Sequence, residues 1–408
     1  MPGDLPSGEA VPVDGRLPAG VGVSSAEGFG VYVHVPFCAS RCGYCDFNTY
    51  VPSEVAGAHP FESYVAAARR EIALAGEVLP APVPPASTVF FGGGTPTLLP
   101  PHELAALLDA VRAEFGLSAD AEVTTEANPE SVTRAGLAEL RAAGFTRISL
   151  GMQSDLPHVL AVLDRRHTPG RAAAAAREAR DAGFKHVSLD LIYGTPGETD
   201  ADWRTSLDAA LRAQPDHLSC YALVVEDGTA MARRVRAGHL PAVDEDALAA
   251  RYAIAEETLS AAGMTWYEVS NWSRTDADRC RHNLLYWHSG DWWGVGPGAH
   301  SHVGGVRWWN VRRPETYARL LAEGRSPAAD REVLDTPARR REDVMLRVRL
   351  REGLDLTALP ERVRLLADEW VRDGLADGAA SGEGRLVLTV RGRLLADLVV
   401  RELWDALG

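Results

Sequence analysis

Between residues 30 and 270 the chain alternates short apolar runs with longer amphipathic ones, and this rhythm restricts the fold more than any other feature. Strand-like runs cover 31–35, 87–91, 122–126, 147–150, 186–191, 217–221 and 265–269. Helical patterns cover 61–79, 102–114, 133–143, 171–182, 202–213 and 246–262. Short apolar strands separated by helices form parallel βαβ units. Two architectures satisfy the pattern: an open doubly wound sheet, or a full or partial (β/α) barrel. Both gather ligand-binding residues at the C-terminal ends of the strands. Periodicity alone does not choose between them.

The first of these strand ends carries Cys38, Cys42 and Cys45, spaced C-x3-C-x2-C. Three thiolates this close can hold three irons of a four-iron cluster and leave the fourth iron without a protein ligand. An open coordination position is what a reactive metal site needs. Zinc is the competing reading. It takes four ligands, often from two paired knuckles, and the chain has no second C-x2-C. Three buried core cysteines are the remaining alternative, but their neighbours Pro36, Arg41, Gly43 and Asp46 argue against a core. The loop resembles that of the radical S-adenosylmethionine (SAM) superfamily. That resemblance selects the partial barrel.

Composition narrows the partners. The chain has 408 residues and a net charge of −14, which disfavours a nucleic-acid binder. Only Cys220 and Cys280 lie outside the loop, so a disulfide framework is not expected and a reducing cytoplasm fits. No apolar run approaches the roughly 18 to 20 residues of a membrane-spanning helix. Residues 1–28 are rich in Gly, Pro and small polar residues and lack the pattern of a secretory signal. They read as a flexible tail.

Each further strand end presents polar chemistry. The second ends in Gly92-Gly93-Gly94-Thr95-Pro96, where absent side chains let a ligand approach the backbone and leave peptide N–H groups exposed to it. The third ends in Glu126-Ala127-Asn128-Pro129 and the fourth in Gly151-Met152-Gln153-Ser154. Arg165-Arg166-His167 follows, and the fifth strand supplies Asp190. Any one of these is ordinarily a helix cap or a surface group. One polar group at each strand end is a pattern that caps do not explain.

Taken in order, HVPFC…CGYCDF, FGGGTPT, EANP, GMQS, RRH and DLIYGTPGET resemble the HemN/HemW group of radical SAM proteins over about residues 30–400. The resemblance implies an α/β fold: a partial (β/α) radical SAM barrel over 29–270, then a His- and Trp-rich segment over 271–330 that closes the site. It implies a [4Fe–4S] cluster on Cys38, Cys42 and Cys45. It also implies SAM contacts from Tyr32, Gly92, Gly93, Gly94, Thr95, Glu126, Gln153, Arg165 and Asp190. Residues 331–408, with helical patterns at 336–350, 359–373 and 391–406 around a strand at 385–390, read as a small winged-helix-like α+β domain.

Two members of the group differ in sequence. The oxygen-independent coproporphyrinogen III oxidase has a further cysteine two residues after the third; here that position is Phe47. The heme-chaperone member carries His-Asn-x-x-Tyr-Trp, present here as His282-Asn283-Leu284-Leu285-Tyr286-Trp287. The resemblance therefore implies a chaperone that binds heme and passes it to acceptor proteins, with the oxidase and a radical SAM RNA-modifying enzyme as rivals. Half of the ten tryptophans fall in 280–310, with His282, His288, His300 and His302. A neutral imidazole ligates heme iron, and flat rings cover a porphyrin. His282 is the first-ranked heme ligand, with Cys280 and the other histidines behind it. The expected location is the cytoplasm. Docking at the inner membrane face and a homodimer stay open.

Overall fold

The computed structural model describes residues 8–24, 26–166, 168 and 170–407. A 13-stranded sheet forms its frame. In chain order the strands are β1 (Glu9–Ala10), β2 (Phe29–Val35), β3 (Ala86–Gly93), β4 (Leu117–Ala127), β5 (Arg147–Gln153), β6 (His186–Tyr193) and β7 (His217–Ala222). They continue as β8 (Thr265–Glu268), β9 (Asn271–Ser273), β10 (Asp291–Val295), β11 (His300–Val303), β12 (Val306–Asn310) and β13 (Ala328–Val333). The spatial order is β1-β13-β12-β11-β10-β2-β3-β4-β5-β6-β7-β9-β8.

β10 and β2 to β7 are parallel neighbours, and the remaining pairings are antiparallel. The two edges do not meet, so the barrel is partial. Helices Pro60–Val78, Pro101–Phe115, Arg134–Ala143, Arg171–Asp181 and Asp200–Arg212 return the chain between successive parallel strands. Thr199 and Asp202 cap the last of these reciprocally, each side chain accepting the other's backbone N–H. Side chains alternate between the two faces of a strand, and the face packed on the helices must be apolar. β2 accordingly buries Phe29, Val31, Val33 and Val35 completely.

Two stretches depart from the sequence reading. Residues 9–10, placed in a tail by composition, pair with β13, and Ser326 N–H donates to the Val13 carbonyl at 2.8 Å. The segment 271–330 is more than a connection. It supplies β10, which lies against β2, and an antiparallel extension of the sheet. Aromatic and β-branched residues in Asp-Trp-Trp-Gly-Val and Val-Arg-Trp-Trp-Asn favour strands, and Trp293 and Trp308 meet edge to face at 4.9 Å.

Residues 336–407 build a second core from Val348, Val363, Trp370, Leu386 and Leu403. Helices surround a ribbon of Leu354–Asp355 against Arg385–Leu386. Arg393 fastens this unit to the barrel, donating to Tyr252 Oη at 2.9 Å and Glu256 at 3.0 Å.

Glu71, fully buried, joins the first barrel helix to the sheet extension. It accepts from Gly296 N–H and Asn310 Nδ2 at 2.7 Å each, and from Tyr317 Oη. Burial outweighs these donors and pushes its carboxyl up to about 7. A carboxyl raised above its unfolded value of about 4.3 stabilises fully below that value and loses its contribution as pH rises through 7. Urea unfolding at about pH 5 and pH 8 is expected to show a smaller stability loss for Glu71→Gln than for the wild type. Equal losses would remove Glu71 as the cause.

Candidate functional site

The C-terminal ends of the parallel strands surround a cavity of about 510 Å³. Its wall brings together Cys38, Cys42 and Cys45 after β2, Gly93 to Thr95 after β3, Glu126, Gln153, Arg165 and Asp190. Tyr32, Gly92 and His282 stand behind this wall. Arg166 also reaches the cavity, while His167, used to align the arginine pair, lies outside the described residues.

Backbone bonds hold the cysteine loop. Cys38 N–H donates to the Tyr50 carbonyl at 3.0 Å, and Tyr50 N–H to that of Pro36 at 2.7 Å. Gly43 N–H donates to Leu163, and its carbonyl accepts from Met231. All three thiols are free and partly exposed. Thr95 Oγ1 lies 3.9 Å from Cys38 Sγ, and Arg165 Nη1 lies 3.5 Å from Cys42 Sγ. Burial pushes the Cys45 thiol up to about 11, a balance that a bound metal cation reverses.

The donor set separates the two metals considered. Among the described residues no three His, Cys, Asp or Glu side chains are arranged to hold one ion. Zinc requires such convergence. In a four-iron cluster each thiolate binds its own iron, so thiols spread around a loop fit it. Such a cluster would supply redox chemistry and an open iron.

The glycine run works differently from the sequence expectation of free N–H donors. Gly93 N–H donates to Glu126 Oε2 at 3.1 Å, Gly94 N–H to the Val35 carbonyl at 2.8 Å and Thr95 N–H to that of Phe37 at 2.7 Å. All three donors are engaged within the protein. Side chains are excluded here by the protein itself. A Cβ at Gly93 would fall 2.5 Å from the His34 ring, with φ at +104°, and one at Gly94 would strike the Phe37 carbonyl. The chemistry left on this edge is that of an acceptor, carried by Glu126.

Glu126 lies in the field of Asp190. Burial and the Asp190 charge push the Glu126 carboxyl up to about 8. Burial raises Asp190 as well, against hydrogen bonds from Ser219 and Ser149, the latter at 2.9 Å to both carboxyl oxygens. A cationic ammonium or a set of ribose hydroxyls satisfies such a pair. Gln153 sits beside them at φ 64°, after a bulge between Gly151 and Gln153. A non-glycine residue there is strained and re-aimed, a common device at binding sites.

His282 is not on the cavity wall. It is 1% exposed, with Nδ1 bonded to Thr88 Oγ1 at 2.8 Å and Nε2 to Tyr286 Oη at 2.7 Å. Burial pushes its pKa down to about 3. Its ring stacks on Phe90 at 5.2 Å and on Tyr32 at 6.4 Å. Asn283 and Trp287 both hydrogen-bond to buried Glu268. Both imidazole nitrogens of His282, the first-ranked heme ligand of the sequence reading, are engaged within the protein. Cys280 is also buried, near Glu122 Oε1. His300 is the exposed histidine of the segment.

Sequence reasoning missed Arg147, Ser149, Ser188, His217, Ser219 and Tyr221, which line the same cavity. The signal was present: polar residues alternate with apolar ones along Arg147-Ile-Ser-Leu-Gly and His217-Leu-Ser-Cys-Tyr.

Residues 32–210 match the family model of the radical SAM superfamily. "Heme chaperone HemW" of Mycobacterium tuberculosis (strain ATCC 25618 / H37Rv) is 57% identical over 384 residues, covering 94% of this chain and 97% of that protein. Its namesake in Bacillus subtilis (strain 168) is 32% identical over 90% of this chain and 97% of its own length. The solved coproporphyrinogen III oxidase (HemN) from Escherichia coli superposes with a TM-score of 0.78 at 25% identity, covering 93% of this chain and 90% of that one. The shared fold and the near full-length identity lead to one conclusion: the chain belongs to the HemW family of the radical SAM superfamily.

Proposed function

We propose that the protein is a heme chaperone that carries a [4Fe–4S] cluster and SAM at the mouth of its barrel and delivers heme to acceptor proteins. The observation that carries this reading is the 57% identity to a heme chaperone over nearly the whole of both chains. Phe47 supports it against the oxidase. The side chain is 59% exposed on the cavity rim, where it brings no thiol.

Cys38, Cys42 and Cys45 would hold the cluster, and Arg165 would offset the thiolate charge beside Cys42. Glu126 and Asp190 would accept from the amino group and ribose of SAM. Gln153 would bond at the rim. Tyr32 braces this edge from behind, its hydroxyl 3.0 Å from His34 Nδ1.

A cavity of about 510 Å³ is in the range of small-molecule sites and does not admit a heme beside a cluster and SAM. With cluster and SAM in it, heme seats outside. His300 suits that place. β10 runs parallel to β2 and ends with Val295 opposite Val33, and a short turn leads to His300 at the same end of the sheet as the cysteine loop. Its ring lies 5.9 Å from that of Trp309, and the charges of Arg307 and Arg312 reach it. Partial desolvation by its neighbours, on the side of the ring that faces the protein, and those charges lower its pKa, which favours the neutral imidazole that binds iron. In this reading His282 positions Tyr32 and β3, and His300 meets the heme.

Cysteine replacement tests the cluster. Cys38→Ala, Cys42→Ala or Cys45→Ala is expected to abolish it, whereas Cys220→Ala, remote in the core, leaves it intact. Iron and sulfide content decides, and full occupancy in Cys42→Ala would contradict the assignment.

Equilibrium dialysis tests the SAM contacts. Asp190→Ala is expected to weaken SAM binding by about tenfold or more, the value of a charge-assisted hydrogen bond. Unchanged affinity would place SAM elsewhere.

Heme titration tests the function itself. The wild type is expected to bind heme and to leave coproporphyrinogen intact with SAM and a strong reductant. His300→Ala should weaken binding and shift the iron spectrum more than His282→Ala does. Decarboxylation by the wild type would make the protein an oxidase. A larger spectral change in His282→Ala would return the ligand to the buried histidine.

A further inference from the structure

The cavity continues below the residues that face the cysteine loop. Thr124 on β4, Arg147 and Ser149 on β5, Ser188 on β6 and His217 and Ser219 on β7 carry its wall down the inside of the barrel. The register sets Thr124 beside Arg147, at the very start of β5. Barrels ordinarily fill that depth with branched apolar side chains. Here the inward positions of β4 to β7 are polar at this depth, with Phe90 of β3 as the apolar neighbour of Thr124. Cys280 and Asn283, at the start of helix Arg281–Trp287, also line the cavity at this depth.

Two buried atoms in this shaft have no hydrogen-bond partner: Arg147 Nη1 and Thr124 Oγ1. Arg147 is 1% exposed and Thr124 is 0% exposed. The rest of the guanidinium is committed. Nε donates to Glu122 at 2.9 Å, and Nη2 donates to the carbonyls of Asp278 and Arg279 at 2.8 and 2.9 Å. A buried polar group left without a partner is costly, and a ligand that completes it recovers that cost.

We propose that the lower shaft is a second small-molecule subsite, which takes an uncharged heterocycle or amide through a carbonyl oxygen or ring nitrogen accepting from Arg147 Nη1, with Thr124 Oγ1 as the second contact. The charges around it select a neutral ligand. Glu122 already balances Arg147. Glu126 and Asp190 stand above with carboxyls held up by burial. His217 is held neutral between Ser188 and Tyr267, and burial keeps the Cys280 thiol protonated. The shaft thus offers donors without net positive charge. An anion would lose its hydration there with no net positive charge to replace it. The way down passes Glu126, Gln153 and Asp190, so a molecule seated there would enter before SAM. This inference does not depend on where heme binds.

Nicotinamide and nicotinate test it, because they share a shape and differ in charge. Binding to the full-length protein is read by saturation-transfer NMR and calorimetry. The wild type is expected to bind nicotinamide, with nicotinate weaker by about tenfold or more. Thr124→Val keeps the side-chain shape and removes the hydroxyl, and should weaken nicotinamide by about fivefold. Arg147→Lys should abolish binding. Because that variant disturbs the Glu122 pair, Thr124→Val with an unchanged melting temperature carries the decision. Absence of nicotinamide binding in the wild type would overturn the proposal. So would equal binding by nicotinate, or by Thr124→Val. A matching loss of SAM affinity in Thr124→Val would also overturn it, because the shaft would then belong to the SAM pocket.

Discussion

Two backbone hydrogen bonds tie the reactive loop to the barrel: Gly94 N–H to the Val35 carbonyl and Thr95 N–H to that of Phe37. They continue the β2–β3 ladder past the end of regular strand, up to the residue before Cys38. The cysteine loop is therefore an outgrowth of the sheet, and its thiols inherit the position of β2. That contact explains why the run is glycine. A side chain at Gly94 would strike the Phe37 carbonyl, and one at Gly93 would strike His34, which itself holds the loop through the Asn48 carbonyl at 3.0 Å. Asn48 passes the connection on to the carbonyls of Pro297 and Arg312, each at 2.9 Å. One continuous set of bonds thus runs from the loop to the sheet extension.

Polarity inside the barrel follows a division of labour between the two faces of the strands. The outer faces carry Ile148, Leu150, Leu189 and Leu218 against the helices and supply the hydrophobic free energy of the fold. The inner faces carry hydroxyls, carboxyls and one guanidinium. Their burial is unfavourable unless each is matched. Most are matched within the protein: Asp190 by Ser149 and Ser219, His217 by Ser188 and Tyr267, Arg147 by Glu122. The exceptions, Arg147 Nη1 and Thr124 Oγ1, belong to residues of the cavity wall.

Much of the barrel was legible in the sequence, because a buried parallel strand leaves a local signature. The expected 31–35 and 87–91 lie within Phe29–Val35 and Ala86–Gly93. The expected 147–150 stops short of Gln153 because the bulge breaks the apolar rhythm. Polar strand ends were equally visible, and Glu126, Gln153, Arg165 and Asp190 do meet at one cavity. What stayed hidden depends on long-range pairing. No local pattern places Glu9–Ala10 beside Arg331, or β10 beside β2. His282 shows the same limit. Its motif is plain in the sequence, but the closure of both ring nitrogens by Thr88 and Tyr286 exists only after folding. The exposure of His300 likewise follows from a turn that residue types do not reveal.

The central claim is that three cysteines hold a four-iron cluster and leave one iron open to SAM. Mössbauer spectroscopy of protein reconstituted with ⁵⁷Fe, with and without SAM, tests it directly. One iron in four should change its signal when SAM is added, while the three thiolate-bound irons keep theirs. Four irons that ignore SAM, or a preparation that holds zinc and assembles no cluster, would contradict the account.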